Sequence, residues 1–354
     1  MAPAPALAHP VLAGGAALAS PDLALGAWAA EHWVFLVVAA AAALLAAAVI
    51  ITLGRWVRIA MNIFLDRSLP VTATFHDYEE PKGDLVTFLS RDGHILTGMF
   101  IDRPSGVPSR GTVLFCHEFG SDMSSAARYA WPLMKAGYTV FTFNFRGHGG
   151  TPALKHFEPR HWPSHHEVND ILAAVAMVRD RLDLGDGGLG VLGVSRGASA
   201  AVVAAALDPH IRCLALDSLF STDTSVDHLI ARWARVYTSI KIAKDARPSA
   251  ICYFLRAITL LYVELKLRCR FPSARKALAR LEQVPMLFIT GERDVYVPPR
   301  EQQVLFDLKR GEKTMWICPS AKHNQAVAAD PETYAEKVVT FFDRHLGRPA
   351  AGPA

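Results

Sequence analysis

Short apolar runs alternate with amphipathic helical stretches over most of the chain. The strand-like runs are TVLFC (112–116), YTVFTF (138–143), LGVLGV (189–194), IRCLAL (211–216), PMLFIT (285–290) and TMWICP (314–319). The helix-like stretches between and after them are 124–136, 166–182, 196–206, 299–309 and 331–346. Because crossover helices join the strands in such a pattern, it predicts a mainly parallel sheet with helices on both faces.

Two segments depart from this alternation. Residues 85–101 contain two β-rich runs joined around Asp92-Gly93, a dipeptide typical of hairpin turns, so the domain is predicted to open with antiparallel strands. Between Leu219 and Gln283 the alternation stops, and helical sequence rich in aromatic and basic residues takes its place. We therefore predict one α/β domain over residues 84–347, with a helical cap inserted at 219–283.

The longest apolar run lies near the start of the chain. From Val34 to Gly54, 21 residues carry no charge. At about 1.5 Å rise per residue, that length spans a hydrocarbon core of about 30 Å. We predict a transmembrane helix over residues 33–55, preceded by a low-complexity lead-in (1–32) and followed by a membrane-proximal linker (56–83). A buried soluble helix and a cleaved signal peptide are the weaker alternatives, because the first rarely has apolar residues on every side and the second has a basic start and a shorter apolar run.

The charges that flank this helix predict its orientation. The lead-in contains no Lys or Arg, whereas Arg55, Arg58 and Arg67 follow the helix, and Trp33 and Trp56 bracket it where interfacial aromatic residues usually lie. The positive-inside rule therefore predicts a single-pass membrane protein whose C-terminal domain is cytoplasmic.

Composition excludes several other classes of protein. The chain has 354 residues, 51% of them hydrophobic and 20% charged, with a net charge of +4, which excludes a disordered or collagen-like chain and gives no indication of nucleic-acid binding. Five cysteines without a C-x-x-C spacing support neither a disulfide framework nor a cysteine zinc site, so we predict reduced, mostly buried thiols and no metal.

The first candidate for chemistry is Ser195, in Gly193-Val194-Ser195-Arg196-Gly197. This G-x-S-x-G motif follows a continuous apolar strand and precedes an alanine-rich helical stretch, which is the context of a nucleophile elbow. Glycines flank the serine because a tight turn leaves no room for side chains. A plain strand-to-helix turn is the alternative interpretation.

Two further motifs supply partners for this serine. Asp294 follows the strand PMLFIT, and His323 lies in the loop after TMWICP, so the order along the chain is Ser, Asp, His. An imidazole can take the serine proton and return it to the leaving group, while the carboxylate fixes the imidazole tautomer. Asp217, at the end of IRCLALD, is an alternative acid.

The same edge of the sheet is predicted to hold an oxyanion hole. Its two backbone N–H donors come from the residue after the nucleophile, Arg196, and from the loop 117–120 after the third strand. The glycine-rich turn 144–149 lies at this edge too, and we interpret Arg146 and His148 as groups that fix the loop rather than as catalysts.

Taken together, HEFGSD, NFRGHG, GVSRG, GERDVYVP and AKHN resemble the α/β-hydrolase superfamily, and in particular its membrane-anchored, serine-aminopeptidase-like branch, which includes acyl-ester hydrolases. The resemblance covers about residues 84–347 and implies Ser195 as nucleophile, Asp294 as acid, His323 as base, and the N–H groups of Phe119 and Arg196 as oxyanion donors. The sequence departs from the family at Glu118, where glycine is usual, and His117 is then structural.

The resemblance implies an α/β-hydrolase fold with a helical cap, preceded by one transmembrane helix. The predicted function is cleavage of an ester or thioester, with a small acyl ester or lipid-like molecule as substrate and no cofactor. An aminopeptidase and a non-catalytic scaffold of the same fold are the alternatives. Most of five cap aromatics are interpreted as packing on the core, with an acyl pocket as the alternative: Trp233, Tyr237, Tyr253, Phe254 and Tyr262.

Overall fold

A computed structural model describes residues 26, 28, 30–65, 80–101, 109–182, 184, 188–237 and 250–346. The chain divides into two compact units, Met1–Trp56 and Val57–Ala354. The second unit contains the whole of the sheet and all of the site predicted from the motifs.

An eight-stranded sheet forms the centre of the second unit, in the order β1-β2-β4-β3-β5-β6-β7-β8. The first two strands pair antiparallel, and β2 pairs antiparallel with β4, while all remaining neighbours are parallel. The strands are β1 (Gly83–Leu89), β2 (Ile95–Ile101), β3 (Thr112–Cys116), β4 (Thr139–Phe143), β5 (Leu189–Val194), β6 (Ile211–Asp217), β7 (Met286–Gly291) and β8 (Lys313–Cys318). The predicted hairpin and the mainly parallel α/β sheet are confirmed.

Helices cover both faces of this sheet. In chain order they are α1 (Trp33–Leu65), a 3-10 turn (Met123–Ser125), α2 (Ala126–Tyr129), α3 (Trp131–Ala136), α4 (His165–Arg181), α5 (Arg196–Ala205), α6 (Thr222–Tyr237), α7 (Ala250–Leu267), α8 (Ala274–Leu278), α9 (Pro299–Leu308), α10 (Ala326–Ala329) and α11 (Pro331–Leu346). Strands β3 and β5 are buried along their whole length because apolar side chains leave both of their faces toward helices.

Two apolar cores result, one on each side of the sheet. One core joins the sheet to α4, α5 and α8, and the other joins it to α2, α3 and α11. Because β3 to β8 run parallel, their carboxyl ends meet at one edge, and the loops from these ends carry every predicted site residue.

The predicted single helix over 124–136 is divided into three short pieces. Pro132 lies at the start of α3, and Gly137 ends that helix in a left-handed conformation with φ of 91°. Since proline is favoured in a first helical turn and glycine just after a last one, α3 is a separate helix.

Helix α1 extends beyond the predicted transmembrane segment. Residues 33–55 are helical as expected, but the helix continues to Leu65, so the first ten residues of the predicted linker are helical too. Residues 66–79 of that linker, like most of the lead-in, lie outside the described residues. Among the described helices, α1 alone is long and apolar enough to cross a bilayer, over Trp33–Asn62, and its most apolar window is not buried.

The predicted cap insert contains α6, α7 and α8. Residues 238–249 and the side chains of Trp233 and Tyr237 lie outside the described part. The packing interpretation is wrong for Tyr253, Phe254 and Tyr262, which are about half exposed, at 47%, 52% and 47%. Helical spacing alone does not show which face of a helix meets the core.

Candidate active site

The turn from β5 to α5 places Ser195 in an unusual backbone conformation. Its φ is 51° and its ψ is −113°, a strained combination for a residue with a side chain. The flanking glycines are required by close backbone contact, because a Cβ on Gly197 would lie 2.2 Å from the carbonyl oxygen of Cys116, and one on Gly193 would lie 2.6 Å from the Cα of Ala198. The geometry is that of a nucleophile elbow.

Three side chains from separate loops form a chain of hydrogen bonds. The Oγ of Ser195 lies 3.0 Å from Nε2 of His323, and Nδ1 of His323 lies 2.7 Å from Oδ2 of Asp294. These three loops follow β5, β8 and β7, so residues up to 128 positions apart meet at the carboxyl edge of the sheet. The Asp294 side chain is fully buried, while that of His323 retains 9% exposure.

Backbone donors hold the carboxylate of Asp294 in a fixed orientation. Its Oδ1 accepts hydrogen bonds from the N–H groups of Tyr296 (2.9 Å) and Val297 (2.8 Å), which leaves Oδ2 to accept from Nδ1 of His323. With the proton on Nδ1, Nε2 carries the lone pair and can accept the hydroxyl proton of Ser195.

Asp217, the alternative acid, lies near the same site in a different role. It is fully buried, its Oδ1 accepts from the Ser218 hydroxyl at 3.0 Å, and its carbonyl oxygen accepts from the N–H of Ser195 at 2.7 Å. Burial raises the pKa of this carboxyl to about 7. Because Nδ1 of His323 donates to Asp294 and Asp217 is bonded elsewhere, Asp294 is the carboxylate in the chain of hydrogen bonds.

The two residues predicted to supply the oxyanion N–H groups, Phe119 and Arg196, contact each other through their side chains. The guanidinium of Arg196 is buried and lies 5.3 Å from the ring centres of Phe119 and Phe145. Within the described part of the chain, the backbone N–H groups of Phe119 and Arg196 form no hydrogen bond. Burial lowers the pKa of Arg196, opposed by the Glu167 carboxylate, whose Oε1 lies 3.6 Å away.

The other polar residues of these loops have structural contacts. His117 accepts from the N–H of Phe145 at Nε2 (3.2 Å) and contacts the carbonyl oxygen of Glu118 through Nδ1 (2.7 Å), and burial lowers its pKa to about 3. Both ring nitrogens are therefore occupied by the backbone in a neutral imidazole. Burial likewise lowers the pKa of His148 to about 2.

Arg146 fixes the turn after β4, as predicted. Its buried guanidinium forms ion pairs with Asp170 (2.5 Å) and Asp92 (2.7 Å). The Arg146 hydrogen bonds are the largest cause lowering the pKa of Asp92 below its usual range. The arginine thus joins the β1–β2 hairpin, the turn after β4 and α4.

A buried polar group behind His323 was not foreseen from the motifs. The carbonyl oxygen of Asn324 lies 3.3 Å from Nη2 of Arg128 and 3.2 Å from the hydroxyl of Tyr129. The Tyr129 hydroxyl also lies 3.5 Å from Oε1 of Glu118, and burial raises the pKa of that carboxyl. Glu118, the departure from the family pattern, therefore faces a network beneath the histidine loop. The unusual carboxylate in the motif was the only sequence signal for it.

No group of three or more His, Cys, Asp or Glu side chains that could hold a metal ion occurs among the described residues. Four of the cysteines, Cys116, Cys213, Cys269 and Cys318, are buried free thiols. At the carboxyl edge, Ser195, His323 and Asp294 bring together a hydroxyl, an imidazole and a carboxylate.

Comparison with known proteins identifies related sequences. Residues 107–249 match the family model described as serine aminopeptidase, S33. The uncharacterized protein YfhR of Salmonella typhi is 25% identical over 284 residues, covering 75% of this chain and 83% of YfhR. The uncharacterized protein YqkD of Bacillus subtilis is 23% identical over 277 residues, covering 76% of this chain and 82% of YqkD.

Solved structures share the fold at low sequence identity. The Pyrococcus furiosus esterase Pf2001 is similar with a TM-score of 0.55 and 22% identity, over 80% of this chain and 97% of the esterase. The esterase domain of a Rhodothermus marinus protein gives 0.51 and 18%, over 75% and 100%. A membrane phospholipase A, described as a bacterial virulence factor, gives 0.50 and 17%, over 91% and 98%.

Proposed function

We propose that this chain belongs to the α/β-hydrolase superfamily and is a membrane-anchored serine hydrolase that cleaves an ester or thioester. The observation that carries the proposal is the hydrogen-bonded chain from Ser195 through His323 to Asp294, built on a strained elbow at the carboxyl edge of the sheet. A strained serine and two buried, ordered partners give no advantage to a non-catalytic scaffold.

In the acylation step, Ser195 attacks the carbonyl carbon of the substrate while His323 accepts the hydroxyl proton at Nε2. A new C–O bond forms, and the carbonyl oxygen becomes an oxyanion that accepts hydrogen bonds from the N–H groups of Phe119 and Arg196. Collapse of this intermediate breaks the bond to the alcohol or thiol. The leaving group takes the proton from Nε2 of His323, and the acyl group stays on Ser195.

In the deacylation step, water takes the place of the leaving group. His323 accepts a proton from the water, the hydroxide attacks the acyl carbonyl, and Ser195 leaves with the proton returned from Nε2. Asp294 stays ionised and stabilises the imidazolium that forms twice in the cycle.

The acyl-ester assignment draws support from the structural neighbours described as esterases and as a phospholipase A. The matched family description, serine aminopeptidase, is the reason to keep a peptidase as the second candidate. A peptidase of this kind needs a carboxylate to bind the substrate's amino group. Among the described carboxylates of the cap, Asp223 and Asp227 are instead paired with Arg275 and Arg256, and Glu264 accepts from the N–H of Phe271, which favours the ester candidate.

Covalent labelling and a substrate panel test the proposal. Wild-type protein should react with a fluorophosphonate probe and hydrolyse p-nitrophenyl esters or acyl thioesters faster than aminoacyl p-nitroanilides. Ser195→Ala should lose labelling and fall to the residual rate that binding and the oxyanion donors sustain, with an unchanged unfolding temperature. Equal labelling of the variant would refute Ser195 as nucleophile, and a preference for the anilides would favour the peptidase.

The helix α1 is proposed as a retained membrane anchor with the hydrolase domain in the cytoplasm. Support comes from its uncharged, exposed 33–54 segment, from Arg55 and Arg58 after it, and from the four buried free thiols, which suit a reducing compartment. A protease added to intact cells should leave the domain whole, and the mature protein should keep its N-terminal residues. Digestion of the domain would reverse the topology, and loss of residues 1–54 from the mature chain would indicate a signal sequence.

A further inference from the structure

The last turn of α1 lies within the second unit, Val57–Ala354, and ends against a loop of that unit. The last four carbonyl groups of an α-helix have no partner within the helix, and two of them here accept from side chains distant in sequence. Nε1 of Trp162 donates to the carbonyl oxygen of Phe64 at 3.1 Å, and Nη1 of Arg160 donates to that of Leu65 at 2.8 Å. A guanidinium at a helix C-terminus is also favoured by the helix dipole. Residues 160–162 therefore cap the helix.

The same turn contributes a core side chain to the second unit. Phe64 is 1% exposed, and its ring stacks on Trp162 with centroids 5.0 Å apart and meets Phe271 edge-on at 4.8 Å. The exposed neighbour Asn62 lies on the same turn without this burial. The end of α1 is thus packed into the interior of the unit against Trp162 and Phe271, and Trp162 also donates to its backbone.

The capping loop contacts both proposed oxyanion residues on its other side. The carbonyl oxygen of Arg160 accepts from Nη1 of Arg196 at 2.9 Å. The ring of His161 meets that of Phe119 edge-on, with centroids 5.2 Å apart. The Arg196 guanidinium and the His161 ring therefore both contact the Phe119 side chain, while the loop that bears His161 holds the end of α1.

We infer that Phe64 and Trp162 are positioning residues that hold the oxyanion donors through the 160–162 loop, an inference that rests on the proposed serine hydrolase function. Oxyanion donors act only when they lie within about 2.7–3.1 Å of the developing charge. Loosening the loop removes support from the side chains of Phe119 and Arg196, and hence from their N–H groups. Because the oxyanion exists only along the reaction, the loss falls on kcat rather than on KM.

Full-length protein in detergent provides the test, with Phe64→Ala, Trp162→Phe and, as the matched control, Asn62→Ala. The concentration of active sites is determined by exhaustive fluorophosphonate labelling, and kcat is expressed per labelled site. Since removal of one oxyanion donor costs about 10²–10³-fold in kcat, its displacement in Phe64→Ala should cost about tenfold, with KM nearly unchanged. Phe64→Leu, which keeps an apolar side chain, should recover part of the loss, and Asn62→Ala should match wild type.

The readout per labelled site separates positioning from stability. If Phe64→Ala and Trp162→Phe unfold at lower temperature but match Asn62→Ala in kcat per site, the residues only stabilise the fold and the inference is overturned. If Phe64→Ala does not fold, Trp162→Phe decides, because it keeps an aromatic ring while it removes the donor to the Phe64 carbonyl and part of the ring stacked on Phe64. A wild-type protein that is neither labelled nor active refutes the proposed function itself, which distinguishes that failure from one confined to the variants.

Discussion

The hydrogen bonds around Asp294 predict a severe effect for Asp294→Asn. In the wild-type structure, Oδ1 of Asp294 accepts from the N–H groups of Tyr296 and Val297, and Oδ2 accepts from Nδ1 of His323. The amide oxygen of an asparagine must occupy the first position, because an NH₂ group cannot accept from two backbone donors. Its NH₂ group then faces the imidazole.

An NH₂ group facing Nδ1 forces that nitrogen to act as acceptor, so the imidazole proton moves to Nε2. Nε2, 3.0 Å from the Ser195 hydroxyl, can then no longer take its proton. A wrong imidazole tautomer of this kind costs about 10⁴-fold in kcat in a Ser-His-Asp triad. At about 1.36 kcal/mol per tenfold, the barrier rises by about 5 kcal/mol, while the isosteric change leaves the packing intact.

Asp217→Asn is the matched control, because it makes the same chemical change at a buried carboxyl that does not bond to His323. Initial rates of p-nitrophenyl ester hydrolysis and rates of fluorophosphonate labelling should both fall by about 10⁴ in Asp294→Asn. In Asp217→Asn both rates should fall by less than about tenfold. A tenfold change corresponds to about 1.36 kcal/mol of electrostatic interaction between the Asp217 carboxyl and the site. If Asp294→Asn keeps more than a tenth of the wild-type rate, or Asp217→Asn loses more than Asp294→Asn, the assignment of the acid is wrong.

Three further outcomes are expected. Gly197→Ala should abolish labelling, because its Cβ would lie 2.2 Å from the Cys116 carbonyl oxygen, whereas Gly150→Ala, with no atom within 4 Å of the added Cβ, should label normally; equal labelling would contradict the close approach. Removing residues 1–54 should give a protein that remains in the supernatant and still hydrolyses short esters, and its recovery in carbonate-washed membranes would indicate another span. Burial raises the pKa of Asp217 to about 7, whereas in the unfolded chain it is about 3.9. Between pH 3.9 and 7, about the two pKa values, the folded state therefore binds more protons than the unfolded state, so the folded state loses stability as the pH rises through this range. Asp217→Asn should therefore gain unfolding temperature relative to wild type between pH 5 and 8, and a constant difference would contradict a protonated Asp217.

Much of the fold could be predicted from local patterns in the sequence. The runs 112–116 and 189–194 coincide with β3 and β5, because a strand buried on both faces is apolar throughout. The elbow around Ser195 was visible for a related reason, since its backbone geometry depends on glycines within two residues. Ser195, Asp294 and His323 could be placed at one edge because each follows a predicted strand, and parallel strands have their carboxyl ends at the same edge.

Tertiary structure decided the features that depend on contacts between distant segments. Asp217 and Asp294 both follow strands at the same edge, and only the arrangement of the loops shows which one reaches His323. No motif marks the linker after residue 55, yet Phe64 is buried because it packs against Trp162 and Phe271, which are distant in sequence. Periodicity reports which face of an element is apolar, whereas the partner of that face and the acceptor of each buried donor depend on the chain's path through space.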